Sequence, residues 1–193
     1  AYGRYLFRVG MPRYMLKYAI TAIKDQYPHW QTMLGPAWHI DKKWGLHEPG
    51  DCRAVLSVPV YRAVIAVAIL WEWYKWAAVT MLGFAGMLHP TEFLTAQRRH
   101  LVFPRDMLRD VTYAFVHVPY PKTVRFARRQ HTRIDDTAVV KFADRLFGDM
   151  NLDDRIYSLS ASSHRRRWDA IMTKLEIPHS QKDHGVTPGS LRG

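Results

Sequence analysis

Between Pro121 and Arg133 the chain places Lys122, Arg125, Arg128, Arg129 and Arg133 with no acidic residue among them. Cations set so close repel one another unless water or an anion separates them. The chemistry they suit is contact with phosphate, whose oxygens accept ammonium and guanidinium donors. Phe126 and Ala127, inside the same run, keep it attached to an apolar core. A second cluster, His164 to Arg167, falls in the first turn of a predicted helix, where positive side chains oppose the positive end of the helix dipole. A bound anion would relieve that opposition. The expected DNA-binding residues are therefore Arg125, Arg128, Arg129, Arg133, Arg165 and Arg166, each set against the plain alternative of a solvated basic surface.

Other chemistries lack their residues. None of the ten histidines forms an i, i+4 pair enclosing a Glu, and the single cysteine, Cys52, has no partner at zinc-ligand spacing, so no metal is expected. The glycines are scattered rather than gathered into a phosphate-cradling loop, and no Gly-x-Ser-x-Gly elbow occurs. Neither ATP or NAD use through such a loop nor acyl transfer is therefore expected, and no cofactor is expected.

The 193 residues carry 28 Lys and Arg against 17 Asp and Glu, a formal charge of +11, and 48% of them are hydrophobic. That balance excludes a disordered or disulfide-built chain and favours a polyanionic partner. One cysteine leaves stability to packing, which suits an intracellular location, nuclear or cytoplasmic. The chain opens on Ala1 without a signal-peptide pattern and ends just after a helix start, which reads as a fragment.

The elements that must position these groups are mostly helical. Leu16, Ala19, Ile20 and Ile23 lie on one stripe of a helix running to about Tyr27. The tryptophans, prolines and glycines from Pro28 to Cys52 predict short helical turns and loops held by aromatics, with a boundary at Gly50-Asp51. Ala63 to Leu88 is almost wholly apolar. Glu72 and Lys75 divide it into halves shorter than the roughly 20 residues a bilayer crossing requires, so two buried helices broken near Trp73 to Lys75 are expected, and no membrane span. Gly83 and Gly86 would allow the second helix a close neighbour. Leu101 to Phe103 reads as a short strand, and Thr112 to Val118 alternates as a second. Pro119 and Pro121 end that strand, Thr123 to Arg129 returns antiparallel, and Lys122 falls at the hairpin tip. Asp135 or Asp136 caps a helix with Val139, Val140, Ala143, Leu146 and Phe147 on one face, ended by Gly148. Ser162 or Ser163 caps another, buried through Trp168, Ile171, Met172 and Leu175, with Arg165, Arg166 and Lys174 towards solvent and Pro178 as its stop. Thr187-Pro188 starts a last helix.

Gly86-Met87-Leu88-His89-Pro90-Thr91-Glu92, then a basic strand pair bearing Pro121-Lys122-Thr123, then Thr187-Pro188-Gly189-Ser190-Leu191-Arg192, together resemble the catalytic domain of the tyrosine recombinases, or phage-type integrases, over roughly residues 54 to 193. The resemblance implies a mainly α, α+β fold: a helical bundle with a small three-stranded antiparallel sheet. Residues 1–50 would form part of a helical core-binding region, and 51–193 a catalytic domain that stops before the nucleophilic tyrosine. It implies that Lys122 acts as the acid for the leaving oxygen, that Arg192 holds the scissile phosphate, and that His89 stands in the place of the first arginine, with double-stranded DNA as partner and a possible homo-oligomer assembled on it. Imidazole lacks the bidentate fork of guanidinium. Gly189 replaces the family's histidine, and no tyrosine follows Tyr157. The chain as given is expected to bind DNA without cutting it, as a recombinase-like domain of a mobile-element-type protein. The alternative is a non-catalytic module for nucleic acid or an acidic protein on an inherited recombinase scaffold.

Overall fold

The computed structural model describes residues 1–48, 54–107, 110–119, 130–180 and 185–192. It divides into two compact units, Ala1–Cys52 and Arg53–Gly193. Gly50, Asp51 and Cys52 themselves lie outside the described residues.

The first unit contains helices α1 (Tyr2–Arg8), α2 (Tyr14–Gln26) and α3 (Gly35–His47), with a 3-10 segment, Pro28–Leu34, between the last two. Leu16 and Ile20, one turn apart on α2, meet Leu6 and Trp44 in a small core. Arg13 closes this core with a two-pronged ion pair to Asp41 at 2.8 and 2.9 Å. Ile23 is exposed, so the apolar stripe ends a turn earlier than its spacing implies. Where turns and loops are predicted, α3 is a regular helix. Pro36 sits in its first turn, where a missing N–H costs nothing. Gly45 lies in its last turn, where a Cβ would collide with the Arg13 guanidinium.

The second unit is mainly helical, with one small three-stranded antiparallel sheet. Helices α4 (Val58–Leu70) and α5 (Tyr74–Ala85) are the two halves of the apolar stretch, broken at Trp71–Trp73, where Glu72 takes φ 58°. No helix among the described residues is long and apolar enough to cross a membrane. Helix α5 is apolar all round because it is enclosed, packing against α4, α6 (Pro90–Leu94), α7 (Thr137–Phe147) and the terminal 3-10 turn Pro188–Arg192. Gly83 makes that enclosure possible: a Cβ there would lie 2.6 Å from the buried Phe93 ring.

Strands β1 (Leu101–Val102), β2 (Ala114–Val118) and β3 (Gln130–Ile134) pair in that order. Ala114, Val116 and Val118 face the core while Phe115 and His117 face outward, which is the alternation the sequence predicts. The return strand expected at Thr123 to Arg129 lies outside the described residues, and the described partner of β2 is Gln130–Ile134. Asp136 caps α7, accepting the Ala138 and Val139 amides at 2.9 and 3.2 Å. The final long helix, α8 (Ala161–Lys174), is capped by Ser160 rather than Ser162 or Ser163. It stops at Lys174, four residues before Pro178, with Glu176 in the left-handed region at φ 57°.

Candidate nucleic-acid interface

His89 sits at the N-cap of α6 and is tied to that helix by its own ring. Its Nδ1 lies 2.9 Å from the Thr91 hydroxyl and accepts the Thr91 amide at 3.4 Å, while the Glu92 carboxylate accepts the His89 N–H at 2.7 Å. This is a capping box, and it satisfies two orphan donors of the helix start. The same segment is fastened to the sheet through the Thr132 hydroxyl of β3, which donates to the Gly86 carbonyl at 3.1 Å. Thr91, Glu92, Thr95 and His100 share a groove of about 150 Å³ with Val118 and Pro119, the end of the strand from which the basic segment departs. Arg192 ends the turn Pro188–Arg192, whose Leu191 is buried in the core that also holds α5.

Of the other expected site residues, Lys122, Arg125, Arg128 and Arg129 lie outside the described residues. Arg133 projects from β3, pairs with Asp135 at 2.6 Å and covers the Tyr113 ring at 4.0 Å. Arg165 is turned back on the protein, holding Asp169 one turn on at 2.7 Å and donating to the His179 carbonyl at 2.7 Å. Arg166 is exposed, its only described bond a long 3.3 Å donation to Ser163. Beside it Arg167 lies over the Trp73 ring at 4.8 Å, and the two arginines line an open groove of about 450 Å³ with Trp73, Leu159 and Ser163. Cations carried on an aromatic shelf suit phosphate contact.

Several residues escape the sequence reading. His164, grouped there with the basic cluster, is 1% exposed. Its ring stacks on Trp76 at 4.9 Å, and its Nε2 lies 3.1 Å from the Thr80 hydroxyl. Burial, then the charge of Arg167, pushes its pKa down to about 4, so it is neutral at pH 7 and contributes no cation. Arg98, 4% exposed, is fully committed: two bonds to Asp106 at 2.8 and 2.9 Å, one to the Leu101 carbonyl at 2.8 Å and one to the Gly148 carbonyl at 3.2 Å. Burial alone would raise the Asp106 carboxyl. The hydrogen bonds from Arg98 and the Phe103 amide, with the charges of Arg98 and Arg105, outweigh it and hold the pKa below its ordinary value. His100, His117 and His131 form a row along the outer sheet face, with ring centroids 6.0 and 4.6 Å apart. Burial, then the charges of His117 and Arg99, lowers the His100 pKa. The alternation in β2 was the one signal that put His117 on this face. Among the described residues no cluster of three or more His, Cys, Asp or Glu could hold a metal ion.

No protein-family model matches the chain, and no curated protein matches it significantly.

Proposed function

We propose that the second unit is a DNA-binding, tyrosine-recombinase-like domain of a mobile-element-type protein that does not cleave strands by itself. The observation that carries this is the meeting of segments remote in sequence. The His89–Glu92 box, the Gly86–Thr132 bond and the Val118–Pro119 exit into the basic run adjoin one another, and the Pro188–Arg192 turn packs on the helix leading into the box. In this reading Lys122, Arg125, Arg128 and Arg129 meet duplex phosphates together with Arg133 and Arg166. The protein works inside the cell, nuclear or cytoplasmic, and assembles as a homo-oligomer on DNA.

The test is fluorescence anisotropy of a labelled duplex at increasing salt. Six phosphate contacts predict a log–log slope of about −5.4, and changing Arg128 and Arg129 together to Gln should flatten it by about 2. A duplex that does not bind even at low salt overturns the proposal. The capping role of the His89 ring favours the second reading, a non-catalytic module, because Nδ1 is already spent on Thr91. Polyglutamate binding as tightly as duplex at equal salt would assign that module to an acidic protein.

A further inference from the structure

The first unit holds a groove of about 280 Å³ between α1 and α3. Its two sides are basic rows set by helical spacing. Arg4 and Arg8 stand one turn apart on α1, and His39, Lys43 and His47 stand at successive turns of α3. The groove's apolar lining is Ile40, Phe7 and Trp44. Phe7 is 43% exposed while Trp44 is only 3% exposed, and the two rings meet edge-on at 5.3 Å. Phe7 therefore presents a ring to the groove from a fixed support. No acidic side chain lines the groove, and among the described residues Arg4, Arg8 and Lys43 form no ion pair. The acids nearest in sequence are engaged: Asp41 by Arg13 and Glu48 by the Trp44 indole N–H at 2.6 Å.

We propose that this groove binds a nucleotide, its base against Phe7 and its phosphate between the two basic rows. Charge selects an anion, and the exposed ring selects one carrying an aromatic group, since base–aromatic stacking accepts any base. The unit bound is a nucleoside phosphate, whether free or part of an unpaired strand. The proposal does not depend on the recombinase reading, which concerns the second unit and duplex DNA.

The experiment is ligand-observed NMR and calorimetry on the full chain with AMP, adenosine, inorganic phosphate, single-stranded oligo(dA) and a duplex. AMP should bind at least 10-fold more tightly than adenosine or phosphate, with its base protons shifted upfield by the Phe7 ring. Arg8→Gln and Lys43→Gln, both exposed and outside the core, should each weaken AMP by several-fold while the thermal melt stays in place. Affinity rising with oligo(dA) length identifies an unpaired strand as the source of the nucleotide, and equal affinity identifies the free nucleotide; both support the site. Phosphate binding as well as AMP, or duplex binding lost in the two variants while AMP and oligo(dA) fail to bind, overturns it. Arg128→Gln with Arg129→Gln should leave AMP binding unchanged, which separates this site from the duplex-binding surface.

Discussion

The described arginines fall into two kinds, and the difference lies in what each guanidinium touches. Arg98 has its donors shared among Asp106, Leu101 and Gly148 inside the fold, with the Phe103 ring 5.0 Å beneath it. Arg98→Ala takes the guanidinium from two carbonyls and leaves the Asp106 carboxylate held by the Phe103 amide alone; loss of one partner of a fully buried pair costs about 3–5 kcal/mol, and the partial exposure of Asp106 makes that the upper bound. Denaturant unfolding should show a midpoint well below the parent, and Arg98→Lys should recover little, because an ammonium cannot reproduce the fork. Arg166, exposed and held by a single long bond, should give a stability change within about 0.5 kcal/mol when changed to Ala, yet weaken duplex binding. A destabilised Arg166→Ala with unchanged DNA affinity would reverse the assignment of these roles. The Asp106 pKa lies below its unfolded value, so its contribution is complete above that value. It is lost as pH falls through the ordinary carboxylate range towards the folded one.

Helix α5 depends on a residue that helix propensity disfavours. Gly83→Ala should gain about 0.5–1 kcal/mol if only backbone entropy mattered. Here the added methyl meets the Phe93 ring, which is itself enclosed, and overpacking of that kind costs about 1–3 kcal/mol. The sign of the change in denaturant midpoint therefore reports whether α6 is seated on α5, and a stabilised variant would mean that it is not. Elements whose signal is their own periodicity were legible in the sequence: β2 by alternation, α7 by its Asp136 cap and apolar face, α4 and α5 by apolar length divided at Glu72. Helix α3 was not, because Gly35, Pro36 and Gly45 read locally as turn residues. Pro36 suits a first helical turn as well as it suits a loop, and the tertiary fact that settles Gly45, its place under the Arg13 guanidinium, leaves no mark in the local sequence. His164 was misplaced for the same reason, being followed by three arginines but aimed at Trp76 and Thr80 from elements some 80 residues earlier. Of the candidate site, the segment at His89 was legible as a boundary. That its ring would cap α6 follows from rotamer and turn geometry that spacing does not encode.

At the scale of the molecule there are two cores of very different size. The first unit, Ala1–Cys52, has four hydrophobic residues in its buried cluster, whereas the cluster of the second includes the fully enclosed Trp76, Phe103, Phe147 and Trp168. Small domains bury a smaller fraction of their surface and are correspondingly marginal. Unfolding should therefore occur in two transitions, residues 1–48 losing protection first in hydrogen-exchange mass spectrometry. Acid separates the two further. His164 has a folded pKa of about 4 against an unfolded value of about 6.5, so between these values the unfolded chain binds the additional proton. Its contribution to the second unit is full above pH 6.5 and is lost as pH falls towards 4, a total of about 3 kcal/mol at 1.36 kcal/mol per pH unit. In the first unit the shifted acid is Asp41. The Arg13 hydrogen bond lowers its pKa against the opposing effect of burial, so its contribution fails only below the ordinary carboxylate range. Lowering the pH from 7 to 4.5 should therefore move the later transition to lower denaturant and leave the earlier one nearly in place. Replacement of His164 by Gln should remove most of that shift. A single transition at both pH values, or an acid shift that persists in His164→Gln, would show that the stacked imidazole is not what makes the larger core acid-sensitive.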